Sequence, residues 1–172
     1  MTRLFSLGLM IFFGWAGLAV ELAPGRAMPR PDILFCVVAL WSLRRPLWTA
    51  SLAVFALGLA RDLLGGGPVG LGAITLLLAS AVMRGRAAAV RRRSMLVEWA
   101  TVAAAFALMM LAQQALLTLT LAPTIPTEDI VLRLAATATV WPAIALALRW
   151  AVRIGPAPMP VEGGLRFERR PA

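Results

Sequence analysis

Six apolar runs, separated by short segments rich in proline, glycine or arginine, dominate this sequence. A run of about 20 apolar residues matches the thickness of a bilayer core when it is helical. Hydrophobic residues make up 60% of the chain, against roughly 45–50% in ordinary soluble domains. We therefore predict an all-α membrane protein in which six transmembrane helices form one compact bundle. The predicted spans are residues 4–22, 32–43, 47–64, 69–83, 95–122 and 130–151.

This six-helix domain is predicted to cover residues 1–154, and residues 155–172 are expected to form a mostly disordered cytoplasmic tail because they are rich in proline, glycine and charge. The first run is expected to be a retained helix rather than a signal peptide, because it is long and no clear small-residue cleavage site follows it. The second run would span only about 18 Å as a helix. It is therefore either a short helix shielded by its neighbours or one that begins inside the preceding loop.

The arginines predict the orientation of the spans. With the N-terminus in the cytoplasm, six spans return the C-terminus to the same side, and 13 of the 17 arginines then lie on the cytoplasmic side. Such an excess of cytoplasmic arginine is typical of membrane proteins. The outer side receives Arg26, Arg30, Arg61 and Arg133. We predict an N-in/C-in topology, which also accounts for the net charge of +9 without nucleic acid as a partner.

Missing residue types exclude most familiar catalytic sites. The chain contains no histidine, lysine or tyrosine, and Cys36 is its single cysteine. Zinc sites built from cysteine and histidine, histidine-based triads and lysine-containing phosphate loops therefore cannot form. We expect no enzymatic activity, no metal site and no cofactor.

Two acidic residues at predicted span ends are candidate functional residues. Asp32 begins the second span, where it could cap the helix or contact a partner or a neighbouring helix at membrane depth. Asp62 ends the third span, where it could be hydrated at the outer interface or point into the bundle. In the second case we expect it to pair with an arginine such as Arg30 or Arg133.

Glycines and polar residues provide further candidates. Residues 65–70 read Gly-Gly-Gly-Pro-Val-Gly, which favours a tight turn with Pro68 at the start of the next helix, although glycine turns can also cradle phosphate. Gln113 and Gln114 lie within the fifth span, where an amide needs an interhelical hydrogen bond or a bound substrate. Asp129 and Arg133 can pair on the sixth helix. The arginines of 84–93 could attract anionic lipids, bind a cytoplasmic partner or serve topology alone.

Residues 30–72 carry three motifs: RPDIL at 30–34, LWSLRRP at 40–46 and GLARDLLGGGPVG at 58–70. These motifs resemble those of the bacterial rod shape-determining protein MreD family. The chain's size and number of predicted spans also fit that family, whereas residues beyond the motifs are similar in hydropathy only. By matched positions, the resemblance implies functional roles for Pro31, Asp32, Asp62, Gly67, Pro68 and Gly70.

The resemblance implies a non-enzymatic component of the cell-elongation machinery in the bacterial inner membrane. Such a protein would bind MreC and help to organise lateral peptidoglycan synthesis. It would work with a RodA-like glycosyltransferase and a class B transpeptidase, directly or indirectly, and indirectly with MreB filaments.

A substrate-binding membrane subunit of a vitamin-type transporter is the alternative hypothesis, because that class is similar in fold to the family. In that case Gln113, Gln114 and Asp62 would lie near a pocket, with Arg133 as a further member of a polar core.

Overall fold

In the computed structural model, residues 3–23, 31–47, 49–66, 68–91 and 93–152 are described, and within these ranges the chain is entirely helical between its turns. The all-α prediction is therefore confirmed. Four helices, α1, α4, α5 and α6, are long and apolar enough to span a membrane. The six helices are α1 (Arg3–Leu22), α2 (Ile33–Arg44), α3 (Ser51–Gly65), α4 (Leu71–Arg91), α5 (Met95–Leu119) and α6 (Thr127–Val152).

Helix α2 forms the centre of the bundle. Every residue from Leu34 to Leu43 is buried, because α1, α4, α5 and α6 all pack against this helix. A helix that is apolar on all sides can be buried completely in this way. The first alternative for the short second run is therefore confirmed: α2 begins at Ile33, directly after Asp32, and is shielded by its neighbours.

Helices α3 and α4 pack as a close hairpin. A Cβ atom on Gly58 would lie 2.6 Å from the Cα atom of Ala73, so only glycine permits this approach. The turn between the helices uses two glycines in the left-handed region, Gly66 with φ of 71° and Gly70 with φ of 93°. The predicted glycine turn is confirmed, but the predicted place of Pro68 at the start of the next helix is wrong. α4 begins at Leu71, and the Pro68 carbonyl within the turn accepts the N–H of Leu71. Gly67 lies outside the described residues.

Helix α4 is longer than the fourth predicted span. The prediction ended it at residue 83, whereas the helix continues through the arginine-rich segment to Arg91. Alanine and arginine are both strong helix formers, and Arg84 donates to the Thr49 carbonyl at 3.3 Å. Conversely, α5 ends at Leu119 rather than at residue 122. The predicted tail, residues 155–172, lies outside the described residues.

The two ends of the bundle are named here by one residue each. At the Glu21 end, α1, α3 and α5 terminate and α2, α4 and α6 begin. At the opposite end, named the Arg44 end, α2 terminates and α5 begins.

Candidate functional site

Four charged side chains from four parts of the fold meet at the Glu21 end. We call this group the ion cluster, and it consists of Glu21 (α1), Asp32 (before α2), Arg61 (α3) and Arg133 (α6). Arg61 Nη1 lies 2.8 Å from Asp32 Oδ2, and Arg61 Nη2 lies 3.0 Å from Glu21 Oε1. Arg133 Nη2 also contacts Glu21 Oε1 and lies 3.7 Å from Asp32 Oδ2. Two carboxylates and two guanidinium groups therefore balance one another.

Asp32 has the most enclosed side chain of the ion cluster, with no exposed surface. Its Oδ1 accepts the N–H of Phe35 at 2.9 Å, which caps α2. Its backbone N–H donates to Thr137 Oγ1 on α6 at 3.0 Å. Capping and contact with neighbouring helices were alternative interpretations of Asp32, and the structure has both at once.

Arg61 was predicted to lie on the outer side, with hydration at the interface as one alternative, and no ion pair was predicted for it. Its side chain is only 13% exposed. Val54, Leu57 and Gly58 are the buried residues of α3, and Arg61 continues their spacing of three and four residues. Helical periodicity could therefore have placed Arg61 on the buried face of α3. The same argument applies to Glu21, which follows the buried Leu18 by three residues on α1.

Asp62 does not join the ion cluster. Its Oδ2 accepts the backbone N–H groups of Gly70 at 3.0 Å and Ala73 at 3.1 Å. These donors belong to the start of α4, where a negative charge is favourable because the helix dipole is positive. The carboxylate lies so close to Gly72 that a Cβ atom there would come within 2.2 Å of Asp62 Oδ1.

Arg133 makes neither of the ion pairs that the sequence suggested for it. One alternative for Asp62 was a pair with Arg30 or Arg133, and the spacing of Asp129 and Arg133 allowed a pair along α6. Arg133 instead contacts Glu21 and Asp32 across the bundle, because its position on α6 faces α2 together with Thr137. Arg30 lies outside the described residues.

The two neighbouring glutamines bond to different parts of the chain. Gln113 is buried and donates from Nε2 to Thr75 Oγ1 on α4 at 2.9 Å. Gln114 binds the segment before α6 through both ends of its amide: Nε2 donates to the Ile125 carbonyl at 3.0 Å, and Oε1 accepts the Ile125 N–H at 3.2 Å. The interhelical hydrogen bond predicted for this pair is therefore made by Gln113, whereas Gln114 fixes the α5–α6 connection.

A second ion pair lies at the Arg44 end and was not predicted. Arg44 Nε and Nη2 donate to the two carboxylate oxygens of Glu98 at 3.1 and 2.5 Å. Bidentate pairs of this kind are strong and specific in geometry. This contact joins the end of α2 to the first turn of α5. Ion pairs therefore fix both ends of the central helix, through Asp32 at its start and Arg44 at its end.

The arrangement of these groups is that of a structural network. Each of Asp32, Asp62, Gln113 and Gln114 is bonded to another part of the bundle. Among the described residues, no group of three or more histidine, cysteine, aspartate or glutamate side chains could hold a metal ion. Of the other candidates, Pro31 is half-buried and Pro68 is exposed.

Comparison with known proteins found no matching family model, no matching curated protein and no matching solved structure.

Proposed function

We propose that this chain is a non-enzymatic scaffold of the bacterial cell-elongation machinery, similar to MreD, which binds an MreC-like protein and helps to organise lateral peptidoglycan synthesis. It would act in the inner membrane with six spans and an N-in/C-in topology. A RodA-like glycosyltransferase and a class B transpeptidase would be direct or indirect partners.

The proposal is supported by the central place of the motif-bearing segment in the fold. Residues 31–47, 49–66 and 68–70 supply the central helix α2, the helix α3 and the turn into α4. Among their charged side chains, Asp32, Arg44, Arg61 and Asp62 bond within the bundle. The motifs therefore build a rigid centre, and the surfaces that remain for a partner are apolar helix faces. Association of helices in lipid relies on such faces and on close packing.

The exposed face of α3 is the part of the motif-bearing segment that a partner helix can reach. Leu52, Ala56 and Leu63 are exposed and lie on one side of α3, because their separations of four and seven residues correspond to nearly whole turns. The small side chain of Ala56 permits close approach of another helix. We assign this face to the MreC-like partner.

The transporter alternative is less well supported. A cavity of about 300 Å³ lies between α4 and α5, which is at the lower limit for ligand pockets. However, Thr75 is its one polar lining residue, and the Thr75 hydroxyl already accepts a hydrogen bond from Gln113. Gln114 and Asp62 bond elsewhere, so these polar groups provide little recognition for a vitamin.

Copurification from the native host tests the proposal. The tagged protein should retain an MreC-like protein after gentle solubilisation, together with components of the wall-synthesis machinery. Ala56→Trp should release this partner, because the bulky ring prevents close packing on α3. Ala143→Trp, at an exposed position on α6, is the matched control and should retain it. Recovery of an ATPase with a coupling subunit would contradict the scaffold and favour the transporter.

A further inference from the structure

An apolar groove runs along the outside of the bundle between α4 and α5. It encloses about 300 Å³ and is open on one side, with Leu78 and Val82 on α4 facing Leu108 and Ala112 on α5. Leu78, Val82 and Leu108 are each more than half exposed. The groove extends from Thr75 to Val82, which is about 10 Å along α4.

The groove leads towards an arginine that has no partner of its own. Arg86 lies four residues beyond Val82, about 6 Å further along α4 and on nearly the same side of the helix. Arg86 is exposed, and it forms no ion pair or hydrogen bond with any part of the chain that the structure describes. Arg44, Arg61 and Arg133 pair with carboxylates, and Arg84 bonds to Thr49.

The surface of α4 between the groove and Arg86 is open at Gly85. This residue is exposed, and a Cβ atom built on it would have no contact with another helix within 4 Å. Arg93, also exposed, adds a second positive charge near the same end of α4. An apolar groove with guanidinium groups just beyond one end is complementary to an amphiphile that has an apolar chain and an anionic head.

We propose that the α4–α5 groove binds one acyl chain of an anionic phospholipid, whose headgroup phosphate is held by the Arg86 guanidinium. The distance from Thr75 to Arg86 is about 16 Å along the helix axis, which suits a single extended acyl chain. Guanidinium groups bind phosphate through paired hydrogen bonds.

The first test is lipid binding to the purified full-length protein, measured by native mass spectrometry. Phosphatidylglycerol and phosphatidylcholine with identical acyl chains are the probes, and phosphatidylglycerol should bind more tightly. Arg86→Gln should lower the affinity for phosphatidylglycerol about five-fold, the factor that one arginine contributes at an anionic membrane surface. Arg86→Lys keeps the charge and should retain most of the binding. Equal affinity for both lipids, or no effect of Arg86→Gln, would overturn the proposal.

The second test locates the acyl chain. A phosphatidylglycerol with a photoactivatable group on its chain should label residues 75–82 and 105–112. Ala112→Phe should fill the groove and abolish this labelling, whereas Ala143→Phe on α6 should leave it unchanged. Labelling that is spread over other helices would contradict the proposal. So would an Ala112→Phe variant that binds phosphatidylglycerol normally, since the acyl chain would then not lie in the groove. Neither test needs the elongation partners, so its outcome is independent of the proposed function.

Discussion

The charge of Asp32 is predicted to stabilise the bundle separately from its role as a helix cap. Asp32→Asn keeps a capping oxygen for the Phe35 N–H but removes the charge that faces Arg61 at 2.8 Å. Removing one partner of a buried ion pair costs about 3–5 kcal/mol. Because Arg61 keeps its contact with Glu21, we expect the free energy of unfolding to fall by about 3 kcal/mol, at the lower end of this range. Asp32→Ala also removes the cap and should cost about 1 kcal/mol more.

The assay is reversible unfolding of the purified protein in mixed detergent micelles, followed by circular dichroism as the denaturing detergent is increased. Asp129→Asn is the matched control: Asp129 is exposed on α6, and the change should alter the free energy of unfolding by less than about 0.5 kcal/mol.

The double variant Asp32→Asn/Arg61→Gln restores charge balance, because Glu21 and Arg133 remain in contact. The loss of unfolding free energy in the double variant should be about 2 kcal/mol smaller than the sum of the losses in the two single variants. If Asp32→Asn behaved like Asp129→Asn, or if the two single effects simply added, the ion cluster would not act as a unit.

Further variants test other contacts of the bundle. Asp62→Ala should destabilise the protein by about 1 kcal/mol in the same assay, because Gly70 and Ala73 lose their acceptor at the start of α4; an unchanged value would contradict the capping role. Gly58→Leu should abolish monodisperse protein in size-exclusion chromatography, since its Cβ would collide with Ala73, whereas Gly85→Leu should be tolerated. Arg44→Gln and Glu98→Gln should show a favourable coupling energy of at least about 0.5 kcal/mol in a double-mutant cycle. In a Cys36→Ala background, Pro68→Cys should react with an impermeant thiol reagent in intact cells and Ser94→Cys only after permeabilisation; the reverse pattern would contradict the N-in/C-in topology.

Hydropathy predicted the helices well, because the apolar runs and the proline and glycine breaks between them are strong local signals. The central position of α2 follows from a run that is both short and apolar on all sides. The predicted end of α4 was wrong because the arginines after residue 83 were interpreted as the end of a span. Arginine and alanine are both strong helix formers, and the helix continues to Arg91.

The partners within the candidate site could not be predicted in the same way. Arg61 and Asp62 are adjacent, so they point in directions about 100° apart on α3, and only one of them can face the centre. The sequence left open whether Asp62 is hydrated or points into the bundle, whereas the buried residues Val54, Leu57 and Gly58 place Arg61 towards the centre. The Arg44–Glu98 pair and the Arg133–Glu21 contact depend on how distant helices pack, and no local pattern encodes that.

Depletion of the protein in its native host is the most direct test of the role in lateral wall synthesis that we propose for it. Cells would be grown with a pulse of fluorescent D-amino acid, and label incorporation along the side wall would be measured as the protein is depleted. We predict that side-wall labelling is lost on depletion and that the cells then become round. The wild-type chain and the Ala143→Trp variant should restore labelling and shape, whereas Ala56→Trp should not. Depleted cells that remain rod-shaped with normal side-wall labelling would contradict it.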